Sequence, residues 1–516
     1  MLIIVLFLTS FVALSFWFLF KESSEMRSVF GKLFLLFLSL YLGASFLMAV
    51  DIFSWVTIIL NFAFLFFGGF FLNTFSKSKI IFIPLLFLIT IGYYFVVTEI
   101  RWPLVFYNQE ETISNQLINI PDKLDPDNEL LLELSKGHDL IELRSIINKY
   151  NLLLEPAFRV HSKNITDLDD YFVVNIPEKQ LVNYHEILEA FKNSGFVDHI
   201  EANEILSLDP TELVTSSNIE TRGKYSVNDP DIDKVWGFDI MHVQDLYDLL
   251  SNHNVQPKKK ARIAIIDTGV DAMHEDIKDN FVSIGIVHDD DIHGHGTHCA
   301  GIAAAVSNNA KGIASFAPDL KYIEIFSVKV FGKYGNTTQR KIIEGMLLAV
   351  DNNADVLSMS LGGVATAKSQ RAYKQAVNYA NKKGAIVVVA AGNENVDARK
   401  RVPACVDGVI TVAAINENLE KAIFSNDVSN LKMGIAAPGV EIYSTIPDNN
   451  YQYFNGTSMA TPYVAGLIGL MKSIQPNLDT DSVYNMLKNT GDITLSANKT
   501  GNLINPVGAI KDLLNK

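Results

Sequence analysis

The second half of the chain contains short, almost uninterrupted apolar runs that alternate with helical patterns. The runs are residues 261–267, 322–331, 355–361, 385–391 and 409–414. Runs of this kind are typical of parallel strands that are buried on both faces and covered by helices. The pattern therefore predicts an α/β fold with a mostly parallel sheet flanked by helices. In such sheets reactive side chains gather where the strands end, and Asp267 ends one run while Asn393 closely follows another.

Four longer apolar runs fill the first hundred residues. They cover residues 1–20, 29–50, 52–72 and 80–97. Each is long enough to cross a hydrocarbon core of roughly 30 Å, and a backbone in lipid must satisfy its own hydrogen bonds. We therefore predict an all-α transmembrane bundle of four helices over residues 1–99. A cleaved signal peptide is the alternative for the first run, which lacks a basic start and a small-residue cleavage motif.

The charges between these runs predict how they are oriented. Lys21 and Arg27 lie in the first loop and Lys77 and Lys79 lie in the third, whereas the second loop carries only Asp51. Basic loops stay on the cytoplasmic side of a membrane. We therefore expect a multi-pass protein of the cell membrane, in contact with the lipid bilayer, whose remaining residues lie on the extracytoplasmic side.

Residues 128–208 have the pattern of a separate small α/β unit. Its signals follow one another as strand 129–137, helix 138–150, strand 152–160, strand 170–177, helix 179–195 and strand 197–208. This βαββαβ order predicts a ferredoxin-like domain. Residues 209–226 are polar and have no periodicity, which predicts a flexible connector.

The net charge of −14 argues against one class of partner. Residues 1–100 are close to neutral, so the acidic excess lies in the remainder of the chain. The single basic cluster, residues 258–260, is interpreted as a solvated loop, and we expect no nucleic-acid partner. Two cysteines, Cys299 and Cys405, exclude a four-thiolate zinc site but leave open either one disulfide bridge or two buried thiols.

Three motifs in the last part of the chain carry residues suited to nucleophilic catalysis. They are IIDTGVD (265–271), HGHGTHCAG (293–301) and NGTSMATP (455–462). Together they closely resemble the active-site motifs of the subtilisin-like serine proteases. The resemblance implies a peptidase domain of subtilisin-like fold over 225–516 that cuts proteins or peptides. Its catalytic triad would be Asp267, His295 and Ser458.

The chemistry of these residue types agrees with the resemblance. A serine hydroxyl needs a base to take its proton during attack, and histidine titrates in a suitable range. A carboxylate at a strand end can hold the imidazole in one tautomer. Ser458 precedes a helical run, and a helix N-terminus stabilises a developing oxyanion.

Two interpretations from other functional classes compete with a protease. A catalytically inactive binding module is disfavoured by the complete set of triad residues. A membrane sensor or transporter is disfavoured because few ionisable residues lie within the apolar runs.

Further segments resemble other parts of the same family. The segment AAGNEN (390–395) implies that the side chain of Asn393 donates to the oxyanion. The segment SMSLGG (358–363) implies substrate binding by Ser360, Leu361 and Gly362. Residues 128–208 resemble the propeptide of the family in element order and position, which implies self-cleavage within the connector.

The resemblance implies that no cofactor is required for the chemistry but that structural calcium is bound. The segment VSNNAKGIA (306–314) resembles a calcium-binding loop, which implies Asp276 and Asn309 as ligands. A tight polar loop without metal is the alternative. The H-x-H-x-x-H pattern of His293, His295 and His298 offers a metal site as an alternative to the catalytic role of His295.

The segment 395–402 is unusually basic. It carries Arg399, Lys400 and Arg401. If it lines the first specificity pocket, it would favour acidic or polar substrate residues there. A solvated surface loop is the alternative.

Overall fold

The computed structural model describes residues 29–30, 32–34, 129–162, 165–208, 213–214, 225–366 and 369–515. The predicted transmembrane runs lie outside these residues, apart from the helical residues 29–30 and 32–34. In the part of the chain that is described, no helix combines the length and the apolar character needed to cross a bilayer. The chain divides into two units, residues 1–114 and residues 115–516.

Short strands and mostly longer helices alternate through the second unit. The strands are β1 (Glu129–Leu134), β2 (Leu153–Pro156), β3 (Tyr171–Asn175), β4 (Val197–Ala202), β5 (Ile205–Ser207), β6 (Leu213–Val214), β7 (Ala261–Asp267), β8 (Ile323–Lys329), β9 (Asn336–Thr338), β10 (Val356–Met359), β11 (Gly363–Val364), β12 (Ile386–Ala390), β13 (Arg401–Val402), β14 (Val409–Ile415), β15 (Gly434–Pro438), β16 (Ile442–Ile446) and β17 (Asn450–Phe454). The α-helices are α1 (Arg144–Tyr150), α2 (Tyr184–Lys192), α3 (Gly237–Ile240), α4 (Val243–Asn252), α5 (His295–Ala304), α6 (Gln339–Asp351), α7 (Gln370–Lys382), α8 (Thr457–Ile474), α9 (Thr480–Thr490), α10 (Ala497–Thr500) and α11 (Pro506–Leu514).

A six-stranded parallel sheet forms the centre of the larger part of this unit. Its strands lie in the order β15-β14-β12-β10-β7-β8, and every neighbouring pair is parallel. Side chains alternate between its two faces, so Ile263 and Ile265 enter one hydrophobic core while Ala264 and Ile266 enter the other. Both faces are buried, which explains the uninterrupted apolar runs and confirms the predicted mostly parallel α/β fold.

Helices cover the two faces of this sheet. All 18 residues of α8 are buried, and α8 packs together with α5 in the first core. A helix enclosed on all sides is apolar around its whole circumference, as the central part of α8, residues 462–471, largely is. The other face is covered by α6 and α7. The ends of the strands that carry Asp267 and precede Asn393 therefore lie on one edge of a rigid, close-packed layer.

A second, four-stranded sheet is built from β1 to β4. Its strands lie in the order β2-β3-β1-β4, and all three neighbouring pairs are antiparallel. One face packs against α1 and α2, while the other face, which includes Leu131 and Tyr171, joins the core formed with α6 and α7. At the edge of this contact Arg340 pairs with Glu129 at 3.1 Å. The small sheet therefore packs against α6 and α7, the two helices that cover one face of the large sheet.

The prediction of a single strand over residues 197–208 at the end of the small unit is wrong, because this segment forms two strands. β4 stays in the small sheet, but β5 leaves it and pairs antiparallel with β9. The separation occurs at Asn203, a fully buried residue whose side chain donates to Glu129 at 2.9 Å and accepts from the N–H of Arg340 at 3.0 Å. These bonds tie the turn to both sheets, so the chain crosses from one to the other.

Candidate active site

A buried histidine–carboxylate pair lies at the carboxyl end of β7. Nδ1 of His295, the first residue of α5, is 2.7 Å from Oδ1 of Asp267, the last residue of β7. Both side chains are buried, and the N–H of Thr268 donates to the same carboxylate oxygen at 2.7 Å. Because Nδ1 is held by the carboxylate, Nε2 is the ring atom that can exchange a proton with another group. The pair has the arrangement of a positioned general base.

Asp291 holds the loop that leads into α5. One of its carboxylate oxygens accepts hydrogen bonds from the hydroxyl of Thr268 at 2.9 Å and from the N–H groups of His293 and Gly294 at 3.0 Å each. The other oxygen accepts from the N–H and the hydroxyl of Thr297 at 2.9 and 2.8 Å. Asp291 is buried, so these bonds position the first turn of α5. Sequence reasoning missed this residue, because it lies three positions before the N-cap Gly294 and outside the usual capping pattern.

Ser458 is the second residue of α8. Its hydroxyl donates to the carbonyl oxygen of Ser360 at 3.3 Å, and the hydroxyl of Ser360 donates to the carbonyl oxygen of Ser458 at 2.7 Å. Gly456, just before the helix, has a φ of 153°, which favours glycine. The approach to α8 is therefore a tight turn that leaves the Ser458 side chain at the cleft.

Cys299 lies directly behind Ser458. Its thiol contacts the carbonyl oxygen of Ser458 at 3.5 Å, and burial raises the pKa of the thiol. Cys299 and Cys405 are both free thiols, so the alternative of a disulfide bridge is excluded.

Thr457 orients the side chain of Asn393. Oδ1 of Asn393 accepts from the N–H and from the hydroxyl of Thr457, both at 2.9 Å. The hydroxyl oxygen of Thr457 accepts in turn from the N–H of Gly392 at 3.1 Å. With Oδ1 engaged in this way, the amide presents Nδ2 as its donor. An amide donor beside the start of a helix can stabilise negative charge that develops on a substrate oxygen.

A pocket opens beside Ser458. The three residues predicted to bind substrate, Ser360, Leu361 and Gly362, line one side of it. Gly392 lines the other side, next to Asn393 in the chain. Ser458 and the three residues predicted to bind substrate thus share one pocket. Asp267 and His295 lie close to Cys299, whose thiol contacts the backbone of Ser458.

The segment that follows β4 reaches the same pocket. β5 pairs with β9, and the N–H of Leu208 donates to the carbonyl oxygen of Gly335 at 2.7 Å. Leu206 lies so close to Gly363 that a β-carbon on this glycine would be 2.6 Å from a methyl group of Leu206. Ser207 and Leu208 line the pocket. An extended segment of the protein itself therefore lies in the groove that leads to Ser458.

Comparison with known proteins identifies this arrangement. The sequence profile of the subtilase family matches residues 258–508. Thermitase from Thermoactinomyces vulgaris is 41% identical over 237 residues, which cover 45% of this chain and 81% of thermitase. Subtilisin DY from Bacillus licheniformis is 40% identical over 236 residues, 44% of this chain and 82% of that protein. The chain belongs to the subtilase family.

The family assignment makes this subtilase a subtilisin-like serine endopeptidase. A solved protease from Pseudoalteromonas arctica PAMC 21717 is 27% identical and superposes with a TM-score of 0.49 over 56% of this chain and 99% of that one. The matched range 258–508 contains all three motifs from which the triad was predicted.

The predicted calcium ligands of this subtilase contact each other. Nδ2 of Asn309 donates to one carboxylate oxygen of Asp276 at 2.8 Å, and the N–H of Ile313 donates to the other at 2.8 Å. Asp229, which sequence reasoning missed, accepts from the N–H groups of Asn308 and Asn309 at 2.7 and 3.1 Å. Burial raises the pKa of Asp276 to about 7, and the charge of Asp229 adds to the effect.

The two carboxylates near this loop fit a hard cation, whereas the side chain of Asn309 turns its Nδ2 to Asp276 and its Oδ1 accepts from the N–H of Lys311 at 2.7 Å. Asp229 and Asp276 are both buried, and neither forms an ion pair with a basic side chain in the part of the chain that the structure describes. Two buried carboxylates close enough to repel each other are stabilised when a cation with oxygen ligands lies between them. Asp276 is therefore suited to calcium, with Asp229 as a second carboxylate.

The three histidines of the H-x-H-x-x-H pattern do not converge. Nε2 of His293 lies 3.1 Å from the carbonyl oxygen of Gly332, and Nε2 of His298 lies 3.0 Å from the carbonyl oxygen of Gln452. Burial lowers the pKa of His298 to about 3, so this ring is neutral. The alternative of a three-histidine metal site is wrong, because His295 is bound to Asp267 while the other two have separate partners.

Proposed function

We propose that this subtilase hydrolyses peptide bonds with Ser458 as the nucleophile and His295 as the general base and acid. Asp267 orients the imidazole and stabilises its charged form. Asn393 and the N–H of Ser458 stabilise the oxyanion. The observation that carries the proposal is the buried 2.7 Å contact between Nδ1 of His295 and the Asp267 carboxylate, which leaves Nε2 for proton transfer.

The reaction begins when Oγ of Ser458 leaves its contact with the carbonyl oxygen of Ser360 and attacks the carbonyl carbon of the scissile bond. As the Oγ–C bond forms, Nε2 of His295 takes the hydroxyl proton and the carbonyl π electrons move to oxygen. That oxygen accepts from the N–H of Ser458 and from Nδ2 of Asn393, whose amide Thr457 holds in position.

The tetrahedral intermediate then collapses. The C–N bond breaks, and the imidazolium gives its proton to the leaving amine. A water molecule attacks the acyl-enzyme, gives a proton to His295, and the Ser458–acyl bond breaks with return of that proton to Oγ. No step requires a cofactor.

The small sheet acts as a propeptide-like inhibitory domain of ferredoxin-like topology. Two observations support this role: its strand order is β2-β3-β1-β4, and its last segment extends into the groove beside Ser458. The chain is self-processed in the connector, residues 209–226, which would separate this domain from the peptidase domain.

The first hundred residues anchor the protein in the cell membrane, with the peptidase domain on the extracytoplasmic side. The four long apolar runs and the basic first and third loops support this arrangement. Protein or peptide substrates would then be met outside the cytoplasm. Alkaline extraction of membranes that contain the Ser458→Ala protein tests the anchor, because an anchored chain stays with the lipid.

A structural calcium ion would be held by Asp276, with Asp229 and Asn309 beside it. Calcium would supply positive charge to two buried carboxylates and so stabilise the loop 306–314; it would take no part in the bond-breaking steps.

The decisive experiment compares the wild-type full-length chain with the Ser458→Ala chain in detergent. We expect the wild type to cleave members of a peptide library and to accumulate as a shorter form, whereas Ser458→Ala does neither. A Ser458→Ala chain of the same processed size as wild type would contradict self-processing. Equal peptidase activity in the two proteins would contradict the catalytic assignment.

A further inference from the structure

The pocket beside Ser458 contains a guanidinium group. Arg401 lies in β13, which pairs antiparallel with β11 so that Arg401 is opposite Val364. The side chain is 14% exposed and lines the same pocket as Ser458. A β-carbon on Gly392 would lie 3.3 Å from Cγ of Arg401, so the aliphatic stem packs along the pocket wall.

Only one of the three basic residues in this segment enters the pocket. Arg399 has a 62% exposed side chain and pairs with Asp397 at 2.7 Å. Lys400 is also exposed. Arg399 and Lys400 lie in a short 3₁₀ helix, Ala398–Lys400, whereas Arg401 begins the strand β13 and so has a different backbone direction. Arg399 and Lys400 therefore belong to a solvated loop, whereas Arg401 forms part of the pocket wall.

The guanidinium retains capacity to bind an anion. Its Nη2 pairs with Glu394 at 3.0 Å and lies 3.4 Å from the carbonyl oxygen of Gly362. Its Nε is buried and has no hydrogen-bond partner among the residues that the structure describes. A buried donor without a partner is costly, and a substrate carboxylate would supply the missing acceptor in a charge-assisted bond. Glu394 has a 39% exposed side chain, so solvent weakens its hold on Arg401.

The other described residues around the pocket bring no competing charge. Apart from Arg401, every residue that lines it in the described part of the chain is uncharged. An acidic side chain that enters the pocket would therefore meet one cation in an environment shielded from water, where the attraction is strongest. A large apolar side chain would instead cover the guanidinium and leave its buried Nε without a partner.

The segment that lies in the groove shows how a peptide approaches this pocket. Residues 205–208 run antiparallel to β9, and Ser207 and Leu208 reach the pocket rim. A bound peptide that follows the same path presents its next residue to the pocket beside Ser458. In the sequence of the protein the residue after Leu208 is Asp209.

We propose that this pocket selects aspartate or glutamate immediately before the scissile bond, with Arg401 as the specificity-determining residue. The inference rests on the proposed function, since it names the substrate class of the same site. Arginine suits this task because its planar fork matches a carboxylate, whereas a lysine would act as a point charge.

The test uses three chromogenic peptides that copy residues 205–208 and differ only in the residue before the p-nitroanilide. The sequences are Ile-Leu-Ser-Leu-Asp, Ile-Leu-Ser-Leu-Asn and Ile-Leu-Ser-Leu-Leu. Asparagine has the shape of aspartate without its charge, so the ratio of kcat/KM for the first two isolates the charge. We expect the wild-type full-length chain in detergent to prefer aspartate over asparagine by roughly 10- to 100-fold.

Two variants and a titration complete the experiment. Arg401→Leu should reduce the aspartate-to-asparagine ratio to about one, and Arg401→Lys should retain part of it. Arg399→Leu is the matched control, since this residue points to solvent, and should keep the wild-type ratio. Labelling of Ser458 with a fluorophosphonate gives the fraction of folded, reactive protein in each preparation, so misfolding cannot imitate a change in the ratio.

The outcomes separate this inference from the proposed function. Hydrolysis that depends on Ser458 but favours the asparagine or leucine peptide would overturn the role of Arg401 and leave the protease assignment intact. If the Arg401→Leu protein is labelled at Ser458 and still prefers the aspartate peptide as strongly as wild type, the role of Arg401 is overturned as well. Absence of hydrolysis and of labelling in the wild type, as in Ser458→Ala, would contradict the proposed function itself.

Discussion

The buried carboxyl of Asp276 should make the stability of this subtilase depend jointly on pH and calcium. Its side chain is completely buried and accepts hydrogen bonds from the N–H of Ile313 and from Nδ2 of Asn309. These bonds favour the charged form, but desolvation outweighs them and raises the pKa from 3.8 to about 7. In the absence of a cation, the folded chain therefore binds a proton that the unfolded chain releases at a lower pH.

The sign and size of the effect follow from this difference. Because the pKa of the acid is raised in the folded state, its contribution to stability is fully present below about pH 4 and is lost as the pH rises through about 7. A difference of roughly three pH units corresponds to about 4 kcal/mol, of which about 2.5 kcal/mol is lost between pH 5 and pH 8. Calcium would reverse this loss by binding the ionised carboxylate.

The assay is thermal unfolding of the full-length Ser458→Ala chain in detergent, which avoids self-digestion. In EDTA we expect the melting temperature to fall by roughly 5–10 °C between pH 5 and pH 8 beyond the change seen in Asp276→Asn, a neutral variant of the same shape. Added calcium at pH 8 should raise the melting temperature of the Ser458→Ala chain back to its value at pH 5. It should raise that of the Asp276→Asn variant much less. An equal pH response in the two proteins, or an equal calcium response, would refute the reasoning.

Three further predictions concern contacts around the active site. Asp291→Ala removes the acceptor of the bonds that hold the start of α5 and should lower the free energy of unfolding by about 3–5 kcal/mol, measured by denaturant titration; an unchanged midpoint would show that the loop is held by other contacts. Thr457→Val removes one of the bonds to Oδ1 of Asn393 and should lower kcat about 10-fold with little change in KM, whereas a change in KM alone would indicate a role in binding. Leu206→Asp places a charge against Gly363 and should release the segment from the groove, so that active protease appears sooner after synthesis than in wild type, as a time course of peptide hydrolysis would reveal.

Much of the architecture was accessible from the sequence because it depends on periodicity. The apolar run 261–267 predicted β7 with the same limits, and the pattern at 340–353 predicted α6 to within two residues at either end. The catalytic candidates were found for a similar reason. Asp267, His295 and Ser458 stand in short contiguous motifs whose local geometry, a strand end or a helix start, is carried by their immediate neighbours.

Contacts between distant segments could not be predicted in this way. The chain leaves the small sheet at Asn203. The side chain of this residue bonds to Glu129 and to the backbone of Arg340, which is 137 positions further along the chain. Asp229 reaches the loop of Asn309 across 80 positions of the sequence. No pattern within a short window records such partners.

The sequence by itself determined the chemistry available at the candidate active site: a carboxylate, an imidazole and a hydroxyl, each predicted at the end of a strand or the start of a helix. Only the tertiary structure decided which charges face that chemistry. Arg399 and Arg401 are the same residue type two positions apart, yet one side chain is in solvent and the other lines the pocket of Ser458. The difference arises because the pairing of β13 with β11 orients the backbone, and that pairing brings together strands that are far apart in the chain.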